Sequence, residues 1–182
     1  RLAARYKGKV YAYEIWNEPN LVWFWKGIAS RTPTNDPYGS FVGLTGADQY
    51  AQLVVAAYPV VKAADPAAMV LAGSIAGGDV EYFNRLFNNA SFKNAFDALS
   101  MHPYTSEYPG TNPTGARFGP SECPAGSMVY WCAGRSVDTI RAAMVSRGLS
   151  ARNIWFTEFG FSSSHYWNGS NSLTGTVLSE QG

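Results

Sequence analysis

Four short apolar runs separated by helix-patterned segments constrain this chain more than anything else in it. The runs are Val10 to Trp16, Ala68 to Gly73, Phe96 to Met101 and Asn153 to Thr157. Each is rich in β-branched or aromatic residues and is stopped by polar, Gly or Pro positions, as buried strands are. Asp48 to Ala64 lies between the first two, with Tyr50, Leu53, Val54, Ala57, Val61 and Ala64 at helical spacing and Pro59 placed to kink it. Val80 to Asn88 follows the second run, with Phe83, Leu86 and Phe87 on one side. Val137 to Arg147 follows the third, with Val137, Ile140, Met144 and Val145 inward and Gly148 as its stop. Arg1 to Gly8 reads as the end of a preceding helix. Strands alternating with helices make a parallel α/β arrangement. Such folds keep their chemistry at the C-terminal ends of the strands.

Two of those ends carry a Glu. In Tyr13-Glu14-Ile15-Trp16-Asn17-Glu18-Pro19-Asn20 the Pro cannot continue a ladder and holds the residue before it extended. Glu18 therefore sits at a strand-to-loop junction beside an amide and aromatics, a setting for a general acid; a surface Glu in a turn is the alternative. Ile154-Trp155-Phe156-Thr157-Glu158-Phe159-Gly160 repeats the design with Glu158. Most of the chain separates the two carboxylates, so only a fold brings them together. Paired carboxylates are what glycosidic bond cleavage needs: one protonates the leaving oxygen, and the other attacks C1 or activates water.

These two motifs together resemble clan A of the glycoside hydrolases, and Ser100-Met101-His102-Pro103-Tyr104 resembles the end of strand 6 in the same clan. Family 39 and its bacterial relatives are the nearest match. The resemblance implies a TIM-barrel α/β fold, of which this chain is a partial (β/α)8 barrel holding strands 4 to 7, read as one domain over residues 1–182. It implies Glu18 as acid/base and Glu158 as nucleophile in a retaining hydrolysis of β-linked oligo- or polysaccharides. The acid must hold its proton near neutral pH, which an ionised Glu158 nearby favours. Asn17 is expected to bind the sugar 2-hydroxyl, and His102 and Tyr104 to orient Glu158 or line the sugar site, with a core His and a packing Tyr as the alternative. Glu14 shares strand parity with Trp16 and Glu18. In the clan that position often meets a cation, so Glu14 is expected to give structural support. An Arg from early in the barrel and a Trp at strand 8 are absent.

The loops supply further candidates. Asn17 to Gly46 is a long loop with Trp23 and Trp25, expected either as sugar platforms or as packing against the next helix. A second loop runs from Tyr104 to Gly134 and carries Trp131, another stacking candidate, and both cysteines. A disulfide between Cys123 and Cys132 would place the protein outside the cytosol, secreted or periplasmic; free thiols or half a metal site are the alternatives. His102 and His165 complete no zinc spacing, so no metal and no cofactor are expected. Gly73 to Gly78 reads as a glycine-rich turn; it lacks the first Gly of a nucleophile elbow and the Lys of a phosphate loop. Phe161 to Thr176 reads as a polar loop and Val177 to Gly182 as the start of a helix.

Composition narrows the classes. Hydrophobic residues are 46% and charged ones 15%, the balance of a globular chain. A net charge of +1 gives no electrostatic footprint for nucleic acid or an anionic membrane. No apolar run approaches the roughly 18 residues of a membrane span. The opening Arg1-Leu2-Ala3 has no initiator Met or signal peptide, as expected of a processed chain or a piece of a longer reading frame. Two other functions compete with the enzyme: a non-catalytic barrel remnant that binds glycans, and a half-barrel that needs a second chain. Four strands leave two apolar edges, so the chain is expected to associate, as a homodimer or with a complementing barrel half.

Overall fold

All four expected strands form, and they lie side by side in one parallel sheet. A computed structural model of the chain describes residues 1–31, 41–104 and 133–159. After a short helix α1 (Leu2–Arg5) the sheet begins with β1 (Ala12–Glu14). A small two-stranded ribbon follows, β2 (Ser30–Arg31) and β3 (Phe41–Val42), then α2 (Leu44–Ala64), β4 (Met69–Ala76) and α3 (Val80–Leu86). A 3-10 turn (Phe92–Asn94), β5 (Ala98–His102), α4 (Ala133–Ser146) and β6 (Ile154–Phe156) complete the described chain. The sheet order is β1-β4-β5-β6, so β1 and β6 are its two outer strands.

Strand alternation sorts the residues between the two faces. Ala72, Ile75, Leu99 and Met101 belong to the core under the helices, with Ile15 and Ile154 packed against it. Tyr50 and Val54 of α2, Tyr82, Phe83 and Leu86 of α3, and Ile140 and Met144 of α4 cover that face. An aromatic chain runs along the same layer, with ring centroids 5.1 Å apart for Phe83–Phe87 and 5.2 Å for both Phe87–Phe92 and Phe92–Phe96. The opposite face receives Glu14, Ser74, Ser100, His102 and Thr157. It is concave enough for residues of the outer strands to meet across it. The rings of Tyr11 and Trp155 stack at 5.9 Å and 15°, and Thr157 reaches Glu14. A parallel sheet covered by helices on its convex face and curled around polar side chains is part of an α/β barrel.

Several details differ from the sequence reading. The loop from Asn17 to Gly46 contains the β2–β3 ribbon, and Leu21 bridges to Phe41 beside it. The helix expected from Asp48 starts at Leu44, because Gly43 caps it from the ribbon. Pro59 lies inside that helix, and the fully buried positions end at Val54. Val145 is exposed; the face of α4 is set by Ile140 and Met144, and one further residue turns the side chain about 100° away. Gly148 has φ +75, the left-handed stop expected after a helix. The largest difference is at Gly73. The strand does not end there: β4 continues to Ala76 through a register shift between Ala72 and Ile75. The turn is confined to Gly77 and Gly78. The loops expected at Phe161 to Thr176 and from Thr105 onward, and the helix start at Val177, lie outside the described residues.

Candidate active site

The irregularity in β4 shapes the site. Gly73 takes φ +119, and a Cβ there would lie 2.4 Å from the Ser100 carbonyl oxygen, so only Gly fits. The bulge presents Ser74, itself at φ +45, to the loop that follows β1. Ser74 Oγ donates to the Trp16 carbonyl at 2.9 Å, and the Glu18 N–H donates to the Ser74 carbonyl at 3.0 Å. Tyr50, fully buried, ties the same two segments from below: its hydroxyl donates to the Ile15 carbonyl at 2.8 Å and accepts from the Gly73 N–H at 2.9 Å. Burial raises the Tyr50 phenol well above its ordinary range, so it remains a donor.

Held this way, Trp16 and Glu18 both adopt positive φ, +71 and +42. This corrects the expectation that Pro19 keeps Glu18 extended. Non-glycine residues in that region cost on the order of 1–3 kcal/mol each, and the surrounding hydrogen bonds sustain them. The distortion carries Glu18 inward from the end of β1. Asn20 then fixes the exit of the loop. Fully buried, its amide accepts from the Ala76 N–H and donates to the Ala76 carbonyl, each at 3.0 Å. It also donates to Asp79 Oδ2 at 3.3 Å. Asp79 caps α3 through the Tyr82 N–H at 3.1 Å and pairs with Arg31, which also pairs with Glu81.

The side chains meet over the C-terminal end of the sheet. Glu18 is buried, at 8% exposure, and its Oε1 lies 3.0 Å from His102 Nδ1. His102, fully buried, places Nε2 3.1 Å from Thr157 Oγ1, and Thr157 donates to Glu14 Oε1 at 2.7 Å. Glu158 is exposed; its Oε2 accepts from the Tyr104 hydroxyl at 2.9 Å and stands 3.8 Å from His102 Nδ1. Ligand atoms of Glu18, His102 and Glu158 all fall within 4.8 Å of one another. Such a spacing suits either a shared cation or the exchange of a proton, and the imidazole nitrogens have Glu18 and Thr157 as their partners. Burial, then the hydrogen bond to Glu158 and the charges of Glu158 and Glu18, raise the Tyr104 hydroxyl above its ordinary value. Tyr104 therefore stays protonated and can donate to Glu158 throughout the neutral range.

The fold thus brings Glu18, Glu158, His102 and Tyr104 together. Tyr104 touches Glu158, whereas the shorter contact of His102 is with Glu18. Asn17 is half-buried beside Glu18. Trp25 is half-buried and packs edge-on against Tyr50 at 6.0 Å, with its Nε1 donating to Gln49 at 3.0 Å, as the packing alternative requires. Trp23 is 61% exposed. Trp131, Cys123 and Cys132 lie outside the described residues. Sequence reasoning missed three contributors. Trp16 is exposed, meets Trp25 edge-on at 5.5 Å and donates from Nε1 to the Phe24 carbonyl at 3.1 Å. Thr157 and Ser74 were also passed over, although the inward parity of Thr157 with Trp155 was readable. Glu14 points inward as expected, but its partner is the Thr157 hydroxyl, and among the described residues no cation pairs with it.

The fold has a counterpart among solved structures. A chain of a family 39 glycoside hydrolase from the gut symbiont Bacteroides cellulosilyticus WH2 superposes with a TM-score of 0.50 and 21% identity, covering 91% of this chain and 30% of that one. The chain resembles part of a family 39 glycoside hydrolase. In sequence, 102 residues are 28% identical to a beta-xylosidase from Geobacillus stearothermophilus, a stretch that is 56% of this chain and 17% of the relative. No family model matches the chain. It spans under a third of the solved relative's length, so the likeness is to a segment of that barrel.

Proposed function

We propose that the chain carries the acid/base and nucleophile of a retaining β-glycosidase, Glu18 and Glu158. One observation carries the reading: oxygens of the two carboxylates lie within 4.8 Å of each other at the C-terminal end of a barrel sheet. Retaining pairs stand about 5–5.5 Å apart, whereas inverting pairs need about 6.5–9.5 Å to admit a water. The environments divide the roles. Glu18 is buried against an imidazole, the setting of a group that keeps and returns a proton. Glu158 is exposed, and Tyr104 fixes Oε2. Among the described residues Oε1 has no hydrogen-bond partner and is left for attack.

In the first step Glu158 forms a bond to C1 as the bond to the leaving oxygen breaks, and that oxygen takes the Glu18 proton. In the second, Glu18 removes a proton from water, the water oxygen bonds to C1, and Glu158 is released. Asn17, half-buried next to Glu18, is assigned to bind the sugar 2-hydroxyl, and the exposed rings of Trp16 and Trp23 are assigned as sugar platforms. The named activity of the sequence relative makes aryl β-xylosides the first substrates to try.

The test is a Glu18→Ala variant assayed on an activated aryl glycoside with added azide. Azide occupies the space of the missing carboxylate and attacks the glycosyl-enzyme from the face that water uses. A β-glycosyl azide is expected. An α-glycosyl azide would mean a single displacement and would refute the retaining assignment.

A further inference from the structure

The hydrogen bonds around His102 form one unbroken line: Glu14, Thr157, His102, Glu18. The separations along it are 2.7, 3.1 and 3.0 Å. Its direction can be worked out by counting protons. An ionised carboxylate only accepts, so the single Thr157 proton goes to Glu14 Oε1. The Thr157 oxygen can then only accept from its other neighbour, which requires hydrogen on His102 Nε2. A neutral imidazole has one N–H, so Nδ1 is bare and faces Glu18 as an acceptor. That contact is attractive when Glu18 Oε1 bears a proton and repulsive when it does not.

We propose that Glu14 and Thr157 are positioning residues that fix the tautomer of His102, and that this tautomer keeps a transferable proton on Glu18. The inference rests on the acid/base reading of Glu18. If the proton moves to form an imidazolium beside an ionised Glu18, the pair still holds the same proton. The opposite tautomer, with hydrogen on Nδ1, would instead stabilise ionised Glu18 and leave nothing to transfer. The titratable groups facing the line are Glu14 from β1, Glu18 from the loop after it, Tyr104 beyond β5 and Glu158 beyond β6. From β4 the neighbour is Ser74, which does not titrate; Asp79 and Arg31 are paired with each other.

Two measurements test this. The chain has only two histidines, His102 and His165, so side-chain nitrogen NMR of a histidine-labelled sample is assigned with a single His165→Gln variant. Hydrogen on His102 Nε2 near neutral pH is expected. A bare Nε2 with hydrogen only on Nδ1 would overturn the proposal. The second measurement is the pH dependence of kcat/KM in Thr157→Val, which keeps the shape but removes the hydroxyl. A void or a water at that place imposes no direction on the line. The alkaline limb, which reports loss of the acid's proton, is expected to move to lower pH by about one unit, the effect of one hydrogen bond. Thr157→Ser should restore it. Wild-type limbs in both variants would overturn the proposal. An active preparation that keeps full turnover in Glu18→Ala yet shows hydrogen on Nε2 would refute the acid/base reading of Glu18 while bearing out the tautomer.

Discussion

Asn20 makes the sharpest structural prediction. Its amide closes the loop bearing Glu18 onto the end of β4 through paired side-chain hydrogen bonds, both to Ala76, both 3.0 Å and both fully buried. Asn20→Ala leaves the Ala76 N–H and carbonyl without partners. Each orphaned buried group costs about 1–3 kcal/mol, so the pair costs about 3 kcal/mol once some water enters the gap. That is a large part of the about 5–15 kcal/mol by which a domain is stable. With a urea slope of about 3 kcal/mol/M for a chain of this size, the unfolding midpoint should fall by about 1 M at unchanged slope. Tryptophan fluorescence during urea titration reads it, with the exposed Lys26→Ala as a control expected within about 0.5 kcal/mol of wild type. Asn20→Asp should be at least as damaging, because a carboxylate oxygen would face the Ala76 carbonyl and Asp79. A midpoint for Asn20→Ala within about 0.2 M of wild type would refute the reasoning.

The remaining predictions concern the aromatics, the sheet margin and the edges. Trp25→Ala should lose about 2 kcal/mol through its contacts with Tyr50 and Gln49, whereas Trp23→Ala should leave the urea midpoint unchanged and weaken oligosaccharide binding. The opposite pattern would exchange their roles. Burial raises the Asp97 carboxyl, but Lys62, the Val70 N–H and Tyr58 outweigh it and hold it below its ordinary value. A depressed carboxyl stabilises the fold above its unfolded pKa, about 3.9, and loses that contribution as pH falls through the folded value. Asp97→Asn should therefore be less stable at pH 7, with the difference closing in strong acid; a constant gap would refute the pairing. The outer strands β1 and β6, with exposed Tyr11 and Phe156, make self-association at micromolar concentration the expected result of sedimentation velocity, and a monomer that turns over aryl β-glycosides at ordinary rates would contradict it.

Much of this was legible because the residues that define it are local. Apolar runs ended at polar punctuation, so the strands, their order and the two carboxylates could be placed from sequence. What was not legible depends on contacts between segments distant in the chain. Gly73-Ser74 reads as a turn, yet the Tyr50 and Ser100 hydroxyls, accepting from the Gly73 and Ser74 N–H groups, hold it inside β4 as a bulge. The ribbon of Ser30–Arg31 with Phe41–Val42 has two residues per strand, too few for alternation to show. Pro19 argued for an extended Glu18, but the Ser74 carbonyl outweighed that local preference. Glu14 is expected to give structural support, but nothing in the sequence points across the sheet to its partner Thr157. The parity of Glu14 and of Thr157 was readable separately; their meeting depends on the curl of the sheet.

The most direct test of the central claim is mechanism-based labelling. A preparation of the chain that turns over aryl β-glycosides would be treated with an activated fluoroglycoside, digested and mapped by mass spectrometry. The account predicts one glycosyl adduct, on Glu158, absent from a Glu158→Gln variant. An adduct on Glu18 or any other carboxylate, or turnover that leaves no covalent adduct, would contradict it.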